Sequence, residues 1–289
     1  MIYPELNSDQ GLLESARNVT SISGEDGILE KIFDTITPAN RWCVEFGAWD
    51  GKTYSNTYHL MADKGWNGVF IEADSVKFQD LLTTYRDNPR AKCLNCFVTF
   101  EGANSLDNLL AQVGAPKDLD LLSIDIDGND YHVWESLVIY APRVVVIEFN
   151  QTIPSHVEFV QPRDMTVQQG NSPLSLVKLG RRKGYELVCV TEYNLIFVKA
   201  DLLPAFAIAD HSLERLRPPS PRPPHIFQLF DGTFVVGGMD QMFWHGIPVR
   251  QQKFQVLPKL FRQFPPRPAN PLKRLLKRCW LFLYTKGFA

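Results

Sequence analysis

The run Trp42-Cys43-Val44-Glu45-Phe46-Gly47-Ala48-Trp49-Asp50-Gly51-Lys52-Thr53 joins an apolar strand bearing a carboxylate to a turn with glycines four apart. A second apolar run, Gly68-Val69-Phe70-Ile71, closes on Glu72, 25 residues after Gly47. Together these features can hold a nucleoside. Glycines let backbone approach the ligand, and a strand-end carboxylate accepts hydrogen bonds from ribose hydroxyls. The turn reads G-x-x-x-G and lacks the middle glycine that brings backbone against a pyrophosphate. A nucleoside without phosphates, such as S-adenosylmethionine, therefore suits it better than a dinucleotide.

Two further apolar runs end in oxygen ligands. Residues 120–124 lead into Asp125-Ile126-Asp127-Gly128-Asn129-Asp130, and residues 143–147 into Glu148-Phe149-Asn150. Ligands of an open parallel sheet bind outside the carboxyl ends of its strands, so Glu45, Glu72, Asp125 and Glu148 would crowd one rim. Such like charges repel until a cation relieves them. The sulfonium and ammonium of S-adenosylmethionine would do so, and so would Mg²⁺ held by Asp125, Asp127, Glu148 and Asn150. The spacing is not that of an EF-hand, because Gly128 falls two positions early. The plainer alternative has Asp125 facing the methionyl part and Asp127 capping the next helix. Cys93-Leu94-Asn95-Cys96 is a lone C-x-x-C with no second pair, so buried small residues are the expectation.

These residues need a sheet to position them. Strands are expected over residues 42–46, 68–71, 93–98, 120–125 and 143–150, with apolar segments again at 186–191 and 194–198. Helical spacing appears after Ser23-Gly24-Glu25-Asp26, which has capping-box spacing, and over 55–64, 78–85, 106–113, 131–140 and 174–183. The alternation predicts a doubly wound α/β sheet with helices on both faces. A helical cap (1–40), a nucleoside-binding domain (41–204) and a proline-rich extension (205–289) are the expected divisions. Pro218-Pro219-Ser220-Pro221-Arg222-Pro223-Pro224 reads as a stiff polyproline spacer within the extension.

The chain has 289 residues, 45% hydrophobic and 21% charged, with a net charge of −2. It opens without a basic and apolar leader, no apolar run spans a bilayer, and its five cysteines are an odd number. A cytoplasmic protein with reduced thiols is the expectation. The charge is unevenly placed. Residues 250–289 hold ten Lys or Arg and no acid; subtracted from totals of 30 and 32, this leaves 20 basic and 32 acidic groups in residues 1–249. Leu272, Leu275, Leu276, Cys279, Trp280 and Leu283 fall on one face of a terminal helix, with Lys273, Arg274, Lys277 and Arg278 opposite. Through residues 272–284 the expected contacts are a second copy or the chain's own acidic body, or an anionic membrane surface. Nucleic acid is disfavoured, because no recognisable motif is present and the body is acidic.

Taken in order, Ser23-Gly24-Glu25-Asp26-Gly27-Ile28-Leu29, the Val44–Gly51 and Ile71-Glu72-Ala73 segments, Ser123–Tyr131, Val146–Asn150 and Lys183-Gly184-Tyr185-Glu186-Leu187-Val188 resemble the FkbM-like branch of class I S-adenosylmethionine-dependent methyltransferases. The resemblance covers roughly residues 20–204. It implies a Rossmann-like methyltransferase sheet and methyl transfer to a hydroxyl of a sugar, glycan or related metabolite. By that resemblance Glu45, Gly47, Ala48 and Gly51 cradle the methionyl part, Ser55 and Asn56 lie near its carboxylate, and Glu72 holds the ribose. Asn95, Cys96 and Phe97 border the adenine. The strand-end carboxylates resemble the Mg²⁺ site of catechol-type O-methyltransferases. Trp49 departs from the pattern, standing where a smaller residue is usual, and nothing carries over beyond residue 204.

Methyl transfer from a sulfonium is an in-line displacement in which the enzyme mostly supplies positioning. A hydroxyl acceptor must also lose a proton, and His156, His132 and Asp127 are the base candidates. The competing enzyme reading is a nicotinamide-dependent oxidoreductase, whose third glycine and Tyr-x-x-x-Lys pair are missing. From a different class comes a non-catalytic methyltransferase-fold module in a biosynthetic assembly, with Phe243 and Trp244 as a partner surface.

Overall fold

In the computed structural model, which describes residues 11–217 and 225–287, neighbouring residues of each central strand enter different cores. Val145 and Ile147 join one cluster, Val144 and Val146 the other. Leu122 and Ile124 likewise oppose Leu121. That is why these strands are apolar at every position rather than at alternate ones.

The elements run α1 (Glu25–Ile36), β1 (Trp42–Phe46), α2 (Tyr58–Lys64), β2 (Asn67–Glu72), α3 (Ser75–Thr84), β3 (Ala91–Asn95), α4 (Leu106–Gln112), β4 (Leu121–Ile124), α5 (Asp130–Ser136), β5 (Val144–Glu148), α6 (Pro173–Arg182), β6 (Tyr185–Val190), β7 (Asn194–Lys199) and α7 (Leu213–Leu216). After the undescribed residues 218–224 come β8 (His225–Gln228), β9 (Phe234–Gly237) and α8 (Pro271–Thr285). The large sheet has the order β3-β2-β1-β4-β5-β7-β6. Strands β1 to β5 are parallel, and β7 is antiparallel to both neighbours. This is a doubly wound, Rossmann-like arrangement, with its switch of direction between β1 and β4. Ligand crevices of such sheets open there, outside the carboxyl ends.

Several local expectations change. The first strand matches its expected bounds, but α2 begins at Tyr58 rather than near Ser55, and α5 ends at Ser136 rather than near residue 140. The capping box does not form. Gly24, at φ 92, is the N-cap of α1 and no side chain caps the helix. Glu25 and Asp26 are buried instead and bind outside the helix. Glu25 accepts from Thr191 Oγ1 (2.6 Å) and Asn194 Nδ2 (3.0 Å) in the β6–β7 hairpin.

One Asp26 oxygen accepts the backbone N–H of Val19, Thr20 and Ser21 and the Ser21 hydroxyl, all at 2.7–2.8 Å. We expect Asp26→Ala to cost about 2 kcal/mol in thermal or denaturant unfolding, because several buried donors lose one acceptor while water reaches the half-exposed ones. A loss below about 0.5 kcal/mol would show that this turn does not need its anchor.

The chain divides into two compact units, Met1–Pro219 and Ser220–Ala289. Residues 205–217 fold with the first unit, where Leu213 is buried in the same cluster as Trp134 and Phe197. Helix α1 is also part of this unit's core, with Ile28, Leu29 and Ile32 fully buried. The second unit holds the β8–β9 hairpin and α8. The N-terminal residues 1–10 and the polyproline stretch 218–224 lie outside the described residues. Among the described residues no helix is long and apolar enough to cross a membrane.

Candidate functional site

The turn after β1 is folded against the ends of both neighbouring strands. Gly47 has φ 74, and a Cβ there would sit 1.7 Å from the Asp125 carbonyl oxygen. Gly51, at φ 71, would place a Cβ 2.5 Å from Leu81 and Tyr85. Both glycines are therefore required by close approach as well as by backbone conformation.

The N–H groups of this turn are nearly all engaged by the protein. Gly47 and Ala48 both donate to the Ile71 carbonyl (3.1 Å each), and Trp49 to Glu72 Oε2 (2.8 Å). Gly51 donates to Ala48 O (2.7 Å), while Lys52 and Thr53 donate to Asp50 Oδ1 (2.9 and 2.6 Å). A pyrophosphate cradle needs free N–H groups pointing at the ligand. This turn has its donors directed inward.

Glu72 ends β2, buried, and also accepts from Asp74 N–H (2.7 Å). Among the described residues each of its oxygens thus has one donor and a remaining acceptor position. Trp49 takes φ 48, with its ring exposed, 5.2 Å from Lys77 Nζ and 6.4 Å from the Tyr54 ring. Asn95, at the end of β3, donates to the Glu72 carbonyl (2.8 Å), and Phe97 is exposed beyond it. Cys96 packs on one core cluster and Cys93 on the other, so the C-x-x-C pair is divided between the sheet faces.

Glu45, Ser55 and Asn56 come together but face each other. Ser55 Oγ (2.5 Å), Thr57 Oγ1 (2.9 Å) and Asn56 N–H (2.8 Å) all donate to the buried Glu45 carboxylate. Asn56 Nδ2 then donates to Ser123 Oγ on β4 (3.1 Å). This knot fixes the loop before α2 beneath the rim. The expectation has Glu45 cradling the methionyl part, with Ser55 and Asn56 near its carboxylate; here the Glu45 carboxylate is taken up by the Ser55 and Thr57 hydroxyls and the Asn56 N–H.

Asp125, Asp127 and Glu148 do gather. One oxygen from each lies within 4.8 Å of the others. Solvent reaches Asp125 and Asp127, and Glu148 is half-buried. None of the ion pairs among the described residues involves these three. Desolvation and then the neighbouring carboxylates, chiefly Asp130 and Asp127 for Asp125 and Asp125 for Glu148, raise both pKa values far above the usual range. Each of these two carboxyls, once ionised, opposes the ionisation of the other, so the pair holds protons well above the ordinary carboxylate range.

The other proposed oxygen ligands point elsewhere. Asp130 is buried and accepts Ile126 N–H and Gly128 N–H (2.9 Å each), which shapes the 125–130 loop. Asn150 drops out of the metal set. Its Oδ1 accepts Thr152 N–H (3.0 Å) and Thr152 Oγ1 (2.6 Å), and its Nδ2 donates to Gln169 O (3.0 Å). His132 is likewise not an available base. It is buried, with Nε2 donating to the Gln161 carbonyl (2.9 Å) and Nδ1 4.0 Å from Glu135. His156 is exposed on the loop after β5 and is not part of the carboxylate cluster found among the described residues. Of the three base candidates only Asp127 stands in the cluster.

The long loop between β5 and α6 is held by buried polar residues with no sequence periodicity. Gln161 Oε1 accepts Gln169 and Gly170 N–H (2.9 and 3.0 Å), and its Nε2 donates to Val167 O (2.8 Å). Asn171 Nδ2 donates to Gly128 O (2.8 Å), tying this loop to the carboxylate loop. Arg217 donates to Gln151 O (2.9 Å) and Ile153 O (3.0 Å) and lies over the Phe149 ring. Sequence reasoning missed these three residues, whose only signal is polarity within a segment that has no helix or strand pattern.

No protein-family model and no curated protein matches the sequence. Solved structures do. CurJ carbon methyltransferase is similar at 11% identity and a TM-score of 0.41, over 61% of this chain and 52% of that one. A S-adenosylmethionine-dependent methyltransferase from Clostridium acetobutylicum gives 9% identity and 0.41, over 61% and 90%. The N-terminal domain of EvdMO1 with SAH bound gives 10% and 0.42, over 61% and 80%. The chain spans about half the length of the CurJ chain and of the citrinin polyketide synthase CMeT domain chain, 52% and 51%. At these identities the likeness is one of fold alone.

Proposed function

We propose that the first unit is an S-adenosylmethionine-dependent O-methyltransferase acting on a hydroxyl of a sugar, glycan or related metabolite. The observation that carries this reading is the pairing of an inward-directed glycine turn at the β1/β4 switch point with carboxylates gathered beyond the ends of β4 and β5 and joined to no cation among the described residues. The available groups accept hydrogen bonds and favour positive charge, while the turn offers few donors to phosphate. A cationic nucleoside fits that set. When bound, the cofactor would supply an electrophilic methyl group on a sulfonium.

In this reading Glu72 takes the ribose hydroxyls with its remaining acceptor positions, and Gly47 and Ala48 line the approach. Asp125 faces the cationic part. Asp127 removes the acceptor's proton, or the Asp125–Glu148 pair does so in its ionised form, its raised pKa suited to that task near neutral pH. Asp125, Asp127 and Glu148 would also serve Mg²⁺, whose hard charge would displace the protons held there. The loop pinned by Gln161, Asn171 and Arg217 would receive the acceptor.

The test is calorimetric titration with S-adenosylhomocysteine, with and without Mg²⁺, on the wild type and Glu72→Gln. We expect micromolar-range binding weakened about tenfold, or about 1.4 kcal/mol, by the substitution. Gln keeps one oxygen for one of the two backbone donors, Trp49 or Asp74 N–H, and circular dichroism checks that the variant folds. Absence of binding in the folded wild type would overturn the assignment. A non-catalytic module is the second reading, and the closed Glu45–Ser55–Asn56 knot favours it, because the methionyl carboxylate loses its expected partners. Cofactor binding without turnover across a broad screen of hydroxylated acceptors would select it.

A further inference from the structure

The second unit presents its terminal helix in an unusual way. Asn270 caps α8, accepting Leu272 and Lys273 N–H (2.9 and 3.1 Å), and Pro271 occupies the first turn. The helix meets its own unit through Lys273, Lys277, Trp280 and Tyr284, which recur at i, i+4, i+7 and i+11. Lys273 donates to Gln263 Oε1 (2.6 Å) and Lys277 to the Pro266 carbonyl (2.7 Å). Trp280 stacks on Tyr284 (5.0 Å) and meets Phe261 (6.0 Å).

The leucine stripe is left outside. Leu272, Leu275, Leu276 and Leu283 are 65%, 58%, 46% and 45% exposed, and Phe282 beside them is 63% exposed. An amphipathic helix normally buries this stripe in its own core. Among the described residues of its own unit nothing covers it, and the same unit also exposes Phe230, Phe264, Phe243 and Trp244. Over residues 225–287 the unit carries ten Lys or Arg against Asp231 and Asp240.

We propose that α8 is an interfacial helix that seats its leucine stripe on an anionic lipid bilayer. A basic unit with an exposed apolar helix face meets the two requirements of such binding, apolar area and attraction to negative headgroups. The 15 residues of α8 lie in the surface plane rather than cross it. A second copy is the poorer occupant, because a symmetric contact through this face would bring two strongly basic units together. The inference does not depend on the reaction assigned to the first unit.

The experiment is co-sedimentation of the full chain with phosphatidylcholine vesicles, with and without phosphatidylserine, at low and high salt. Binding is expected only with phosphatidylserine and should weaken as salt screens the charge. Leu275→Gln with Leu276→Gln should reduce partitioning by at least about tenfold, and Arg278→Gln and Lys286→Gln by roughly fivefold each. All four positions are exposed, so the fold should be unaffected, which circular dichroism checks. Failure to bind phosphatidylserine vesicles at low salt would overturn the proposal. So would undiminished binding by the double leucine variant. A dimer in sedimentation velocity that the leucine substitutions dissociate, without vesicle binding, would assign the face to a second copy instead.

Discussion

Gly47→Ala should lower the stability of the first unit by at least about 4 kcal/mol and abolish cofactor binding. Two effects combine at this position. At φ 74 an alanine is strained whatever the space, which costs about 1 kcal/mol or more. Its Cβ would also lie 1.7 Å from the Asp125 carbonyl oxygen and 2.9 Å from the carbon behind it. The clash cannot relax cheaply, because β1 and β4 are paired up to Phe46 and Ile124 in the middle of a seven-stranded sheet. Separating them would strip apolar contacts from both cores. Gly65 provides the control. It has φ 71 with nothing within 4 Å of its Cβ position, so Gly65→Ala carries the conformational cost alone. Thermal melting should place Gly47→Ala roughly 10 °C or more below wild type and Gly65→Ala within a few degrees. Equal melting temperatures would mean that the close approach at the switch point is not what Gly47 provides.

The need for a glycine directly after the buried first strand was legible in the sequence, but as room for a ligand; that the Asp125 carbonyl fills this space was not. The strands were legible as well: a run such as Val144-Val145-Val146-Ile147 is apolar on both faces only if both are covered. The antiparallel β7 was also open to derivation. Only Thr191, Glu192 and Tyr193 separate β6 from β7, and a link that short joins antiparallel strands.

The orientation of polar side chains was not legible. Glu45 has the same sequence context whether it faces a ligand or the protein. What decides is that α2 starts at Tyr58, which leaves Ser55, Asn56 and Thr57 as a loop free to wrap the carboxylate. A helix starting at Ser55 would have placed those groups differently. Asn150 failed as a ligand for a similar reason, since Thr152 lies two residues on and offers two donors to its oxygen. Short-range competition of this kind leaves no periodic trace.

Glu148→Gln should separate stability from function. At neutral pH the folded Asp125–Glu148 pair retains a proton that the unfolded carboxyls, with ordinary values of about 4, have released. The folded state then binds more protons, so stability falls as pH rises. The fall starts above the ordinary carboxylate range and ends once the raised pair has ionised. Glutamine cannot ionise, so the variant should lose much of this slope. It should gain on the order of 1 kcal/mol at pH 7–8 after allowance for the solvent that reaches the site, roughly 2–4 °C in Tm. At low pH, where wild type and variant are both neutral, their melting temperatures should converge. A variant less stable than wild type at every pH would show that Glu148 is held by favourable contacts instead.

The same substitution should damage the reaction. If the pair or its neighbour Asp127 accepts the acceptor's proton, Glu148→Gln and Asp127→Asn should each slow turnover by about 10²–10⁴-fold with cofactor affinity changed far less. If the cluster also holds Mg²⁺, metal binding to wild type should release a proton, seen as a buffer-dependent calorimetric heat that Glu148→Gln abolishes. A carboxylate that destabilises its own fold at working pH is expected where charge is kept for a ligand. For that reason the two readouts should move in opposite directions. Were Tm and turnover to fall together, the cluster would be a structural network and the proton acceptor would have to be sought on the loop after β5.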